Sequence, residues 1–347
     1  CGGTKENKKR QPNMKRNKKH LLRNMVALLA CMSFASCSQD ELTEEGRPLP
    51  VGQYPLELVA GGLQAVATPA QTATRGTFEG DWDGVTRVDV VVNDKMEKEY
   101  KVEAFGDKKT ARLTPASPLG NDDELYWWTS STEKKTVMAV SNAMLGFFDI
   151  CPPTEWTEKD FALYDVIGVR QTISFEDRDH PLEFKHLMAK VVINLRETEY
   201  LKKAKDVKVQ LMNMLDRGEL EFDSEQIYIN NGVMGRDMNM TPYRLPAGAY
   251  EDVDFGNGQR EKPFASYMAL AIPRNISDTN VLQIEVDGAK YILTTSAITS
   301  ENSVNYIAGQ VTTFNVTVKE SGLDVIAENM INWGTNGATG SGEMELP

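Results

Sequence analysis

Cys37 closes the run Phe34-Ala35-Ser36-Cys37, an apolar residue and two small residues ahead of a thiol. That spacing suits transfer of a diacylglyceryl group to sulfur followed by cleavage just before the cysteine, the chemistry of a bacterial lipoprotein signal. Leu28-Leu29-Ala30-Cys31 is the competing match, but choosing it shortens the apolar run ahead of the cut to a few residues. An ordinary export signal that happens to contain a cysteine is the plainer alternative. A second reactive feature is the Arg75-Gly76 bond in TPAQTATRGT, a Thr/Ala/Gln-rich stretch that reads as extended and accessible to a protease. Between residues 38 and 86 the only basic side chains are Arg47 and Arg75, and Arg47 is followed by Pro48, which blocks trypsin-like cleavage. The plainer reading of Arg75 is a surface arginine.

Other chemistry is thin. The three histidines are His20, His180 and His186, and the last two, six apart, match no zinc spacing. No G-x-S-x-G, P-loop or G-x-G-x-x-G occurs. FEDRDH and GNDDEL read as solvated acidic loops, and a glycosidase carboxylate pair is the one enzymatic option left open. Cys151 in FFDICPP reads as a small buried hydrophobe, with a catalytic nucleophile the remote alternative since no His lies nearby in sequence. These features lead to a non-enzyme with no metal or other cofactor.

Two elements must position Cys37. Residues 1–36 carry nine Lys or Arg and one acid, Glu6, followed by the uncharged run Met25–Ala35. Eleven helical residues span about 16 Å, roughly half a bilayer's hydrocarbon core, so this run is an export signal and not a membrane span. Met14 is the expected initiator, with residues 1–13 read as an upstream extension. Beyond residue 36 there are 29 basic and 49 acidic side chains, a net charge of −20 that repels nucleic acid and anionic lipid.

From residue 50 onward the chain reads as strands. Period-2 alternation runs through YPLELVA (54–60), TRVDVVV (86–92), DVKVQLM (206–212) and TTFNVTV (312–318). Asp287-Gly288 and Asn231-Gly232 each sit between alternating runs and predict type I′ hairpins. Helical patterning is confined to TEKDFALYDVIG (157–168) and ETEYLKKAKD (197–206). In Tyr126-Trp127-Trp128, strand alternation sends one tryptophan inward and one outward. The fold class is all-β, of sandwich type. The expected boundaries are 1–36, an extension and signal; 37–75, a lipidated propeptide; 76–185, one sandwich; and 186–347, a second sandwich with a glycine-rich tail.

Several segments in this order are similar to the fimbrillin family, the pilins of type V pili of Bacteroidetes-type bacteria. They are SCSQDEL, YPLELVA, ATRGTF ahead of Trp82, LYWW, LYDVIG with Asp165, LEFKHLMAKVVINL around His186, YIAGQVTTFNVTV and INWG with Trp333. The acids after Cys37 resemble the surface-export signal of such lipoproteins. The resemblance implies two transthyretin-like sandwiches and a route of lipoprotein export to the outer membrane surface, cleavage by an arginine-specific surface protease, and strand exchange with other pilin subunits into a fimbria that serves adhesion. Cleavage at Arg75-Gly76 then releases the first strand, whose Tyr54, Leu56, Leu58 and Ala60 fill an apolar groove. LDVIAENMINW (323–333) either completes the home sandwich or helps donate a strand. The rival readings are a surface glycan-binding lipoprotein and a pilus tip or anchor subunit.

Overall fold

The computed structural model describes residues 46–63, 81–95, 97–120, 122–141, 149–232, 235–298 and 302–332. The leading strands are β1 (Leu58–Gly61), β2 (Arg87–Val92), β3 (Glu97–Ala104), β4 (Ala111–Pro115), β5 (Lys134–Ser141), β6 (Asp149–Ile150) and β7 (Ile167–Ser174). Then come β8 (Pro181–Glu183), β9 (Lys185–His186), β10 (Ala189–Leu195), β11 (Val207–Leu215), β12 (Gly218–Phe222), β13 (Ile227–Asn230), β14 (Asp237–Met240) and β15 (Tyr243–Arg244). The remainder are β16 (Val253–Asp254), β17 (Arg260–Glu261), β18 (Ala265–Ala271), β19 (Arg274–Ser277), β20 (Asn280–Val286), β21 (Ala289–Thr294), β22 (Ser303–Tyr306), β23 (Gln310–Lys319) and β24 (Gly322–Asn332). Two short helices, α1 (Glu158–Tyr164) and α2 (Glu199–Lys203), lie where the helical patterning falls. The protein is all-β.

The largest sheet runs β8-β1-β4-β3-β2-β5-β7-β9. Its two end strands are separated in the chain only by Phe184, so the sheet curls until its ends meet at that buried ring. Curling is how a twisted sheet of this width hides its edges. A five-stranded sheet, β15-β18-β10-β23-β24, and a four-stranded sheet, β14-β11-β20-β21, form the body of the second half. The described residues from Pro48 onward make one compact unit containing two hydrophobic clusters. Phe184 belongs to the first cluster and Leu187 to the second, yet Ile150, Trp156, Phe161 and Val166 also pack into the second.

Turn chemistry explains one agreement and one correction. Asp287 and Gly288 have φ of 49° and 89°, and they join β20 to β21 as the type I′ hairpin expected there. Among the described residues, Asn231-Gly232 joins no hairpin. β13 pairs backward with β12, and the turn lies at 223–226, where Asp223 Oδ1 accepts from the amides of Glu225 and Gln226. Asn231 instead donates from Nδ2 to the Pro273 carbonyl, and the Gly232 amide donates to Asn230 Oδ1, so the pair ends β13 and the chain moves on to β14 beside β11. Cys151 is a second correction. Ile150 takes the inward position at the end of β6, so its neighbour is left exposed. Desolvation by the surrounding chain and the charge of Asp149 raise the Cys151 thiol pKa, which disfavours the thiolate a nucleophile needs.

Candidate functional site

The first strand occupies a seat defined on both sides. Leu58, Val59 and Ala60 pair antiparallel with Leu113, Arg112 and Ala111 of β4. On the other edge Val59, Ala60 and Gly61 pair parallel with Pro181, Leu182 and Glu183 of β8. Among the described residues, β1 is the only ladder neighbour of β8. Leu56, Leu58, Ala60 and Leu63 are essentially fully buried. They share a cluster with Trp82, Tyr100, Leu113, Tyr126, Trp128 and Phe184, in which the Trp82 and Phe184 rings meet edge to face at 4.9 Å. Burying three leucines contributes roughly 5–9 kcal/mol.

Further contacts hold the segment ahead of the strand. The Leu56 amide donates to the Tyr126 carbonyl at 2.8 Å, and the Trp128 amide donates to the Tyr54 carbonyl at 2.9 Å. Pro55 bridges Trp127, and the Leu49 amide donates to the Thr129 carbonyl. Tyr126 and Trp128 therefore face the core, while Trp127 is half-buried against the leading segment. Inside, the Tyr100 hydroxyl donates to the Leu56 carbonyl at 2.8 Å. Burial raises the Tyr100 pKa far above the usual phenol range, which keeps it a donor.

Tyr54 departs from the register expected of it. It is 37% exposed and stands edge-on to Phe175 at 5.4 Å instead of filling the groove. The reason is local: the Glu57 amide donates to the Pro55 carbonyl, a three-residue turn that interrupts the strand before Leu58. Regular pairing thus covers Leu58–Gly61 and not residues 54–60. Cys37, Arg75 and Gly76 lie outside the described residues.

Sequence reasoning missed three features here. Gly62 has φ of +81°, and a Cβ there would stand 2.6 Å from the Phe184 carbonyl oxygen, so only glycine lets the chain leave the seat at this angle. Its signal was the Gly61-Gly62 pair directly after an alternating run. Tyr100 gave none, because its partner lies 44 residues away. The third feature is a buried pair: His186 Nδ1 lies 2.8 Å from Asp165 Oδ1, with both side chains almost wholly out of water. Asp165 ends α1, its amide donating to the Phe161 carbonyl, and His186 lies on β9 opposite Ile167. The pair ties the helix end to the last strand of the curled sheet. No group of three or more His, Cys, Asp or Glu among the described residues could hold a metal ion.

The fimbrillin-like family matches residues 73–333, three quarters of the chain. The chain belongs to the fimbrillin-like family. Solved structures with the same fold include a protein assigned to cell adhesion from Bacteroides uniformis, at 10% identity and a TM-score of 0.52, covering 82% of this chain and 100% of that one. Another assigned to cell adhesion, from Bacteroides ovatus, has 15% identity and a TM-score of 0.53, covering 80% and 97%. No curated protein matches the sequence. Trp82, Asp165 and His186 all lie within the span matched by the fimbrillin-like family, whereas the leading strand precedes it.

Proposed function

We propose that this fimbrillin-like chain is a structural subunit of a type V pilus at the cell surface. It is exported as a lipoprotein anchored in the outer membrane through Cys37 and cut between Arg75 and Gly76 by an arginine-specific surface protease. It polymerises when a strand of another pilin subunit takes the place of the leading strand. Residues 76–185 and 186–347 serve as its two sandwich domains.

The seat of β1 carries this reading. Removing residues up to Arg75 strips β8 of its ladder neighbour, bares the backbone groups of β4 and empties the positions of Leu56, Leu58, Ala60 and Leu63. A bare sheet edge beside an apolar groove accepts another strand. Repeated head to tail without ring closure, that contact builds a filament.

The test is Arg75→Ala with N-terminal sequencing of sheared surface material. The parent should begin at Gly76 and form filaments, and the variant should remain a full-length, unpolymerised lipoprotein. Filaments at normal yield from the variant would overturn strand release. A parent that keeps lipidated Cys37 at its N-terminus would instead be a retained surface lipoprotein.

A further inference from the structure

The five-stranded sheet has one face in the second core, through Val191, Ile193, Leu195, Phe314 and Val316. Its other face carries two cross-strand rows set by register, Ser266–Asn194–Asn315 and Met268–Val192–Thr313. An outer sheet face commonly meets water. Here Ser266, Asn194 and Asn315 are only 0%, 4% and 3% exposed, because the connection from β15 to β18, including the β16–β17 hairpin, lies over them. Between sheet and connection is a cavity of about 310 Å³.

The polar row lining this cavity has hydrogen-bonding capacity to spare. Ser266 Oγ donates to Asn194 Oδ1 at 2.6 Å, Asn194 Nδ2 to Asn315 Oδ1 at 2.8 Å, and Asn315 Nδ2 to the Asp254 carbonyl at 3.1 Å. A primary amide has two N–H donors and two acceptor lone pairs. Among the described residues, each of these amides therefore uses one donor and one acceptor position and keeps one of each. Buried polar groups normally find partners. Thr313 adds a hydroxyl to the same floor.

Charge and apolar surface narrow the ligand. The lining includes Lys190 and Arg260 but also Glu251 and Asp254, so it carries no net charge to recruit an ion. The Arg260 guanidinium is already engaged, donating to the Asp252 carbonyl at 2.9 and 2.6 Å. Val192, Met268 and Tyr250 supply apolar surface. The size is at the lower end of small-molecule sites. A match must be neutral, compact, bearing hydroxyls that both donate and accept, with a C–H face for the apolar wall.

We propose that this cavity binds a neutral sugar residue, its hydroxyls bonding Asn194, Asn315 and Thr313 and its C–H face resting on Tyr250 and Val192. The site uses nothing of the leading strand, so it stands or falls separately from pilus assembly.

Saturation-transfer NMR on the full chain tests it, with glucose, galactose, mannose, fucose and N-acetylglucosamine each at millimolar concentration. At least one should receive saturation. Thr313→Trp, which fills the cavity from a half-buried floor position, should weaken that binding at least about tenfold. Tyr250→Ala, on the opposite wall, should also weaken it and serves if the larger side chain perturbs folding. Absence of transfer to all five sugars would mean that water alone occupies the cavity and would overturn the assignment. So would transfer unchanged in both variants, or glucuronate binding more tightly than every neutral sugar.

Discussion

Gly62, Tyr100 and His186 each bear on how firmly the leading segment and its surroundings are held. Gly62→Ala forces a Cβ into the Phe184 backbone at a left-handed φ, and should cost about 2 kcal/mol in the uncut chain. If strand release is correct, the same substitution should not alter the stability of assembled subunits beginning at Gly76, since the leading segment with residue 62 has then been displaced. Chemical denaturation of both forms measures this, and equal destabilisation of both would contradict release. Tyr100→Phe leaves the buried Leu56 carbonyl without its side-chain donor and should cost about 1 kcal/mol. His186→Ala removes the 2.8 Å contact to buried Asp165 and should cost about 3 kcal/mol, read as a lowered unfolding midpoint.

At the scale of elements, the leading strand is short in regular pairing but long in attachment. Four residues form the ladder, while contacts at 48–49, 54–56 and 61 spread the hold over the whole segment. A cut at Arg75 would therefore leave the segment seated until something with comparable burial displaces it. Leu58→Asp places a charge in a site with 1% exposure and should cost about 4 kcal/mol. Hydrogen exchange in the uncut variant should rise at β1 and along the facing edges of β4 and β8, while β10 and β23 stay protected. Uniform loss of protection in both halves would show that the two cores do not open separately.

For the whole molecule, the placement of the C-terminal segment matters most. β24 pairs antiparallel with β23 from Gly322 to Asn332, so 323–332 lies in the home sheet as its last strand. Any donated strand from this end would then have to come from 333–347, which lies outside the described residues. Deleting 334–347 should leave folding and cleavage intact yet stop filament extension, as seen by electron microscopy of surface material. Normal filaments from the truncated chain would assign donation elsewhere. Cys37→Ala should abolish lipid labelling and surface display; normal labelling in that variant, with loss only in Cys31→Ala, would move the anchor to Cys31.

Local grammar was readable in the sequence itself. Alternation announced β2, β11 and β23, Asp287-Gly288 announced its hairpin, and the inward set Leu56, Leu58 and Ala60 followed from a period of two. These are properties of backbone dihedrals and side-chain direction, which act over a few residues. Partner choice was not readable. Nothing near Asn231-Gly232 says that β13 will turn back at Asp223, and nothing in LYDVIG and LEFKH says that Asp165 and His186 will meet across 21 residues. The parallel pairing of β1 with β8, the closure of the sheet at Phe184 and the buried Ser266–Asn194–Asn315 row likewise join residues far apart in the chain. Only the tertiary structure decides them, because a strand offers the same two edges to every candidate neighbour, and the choice falls to whichever arrangement buries the most apolar surface while leaving the fewest polar groups unsatisfied.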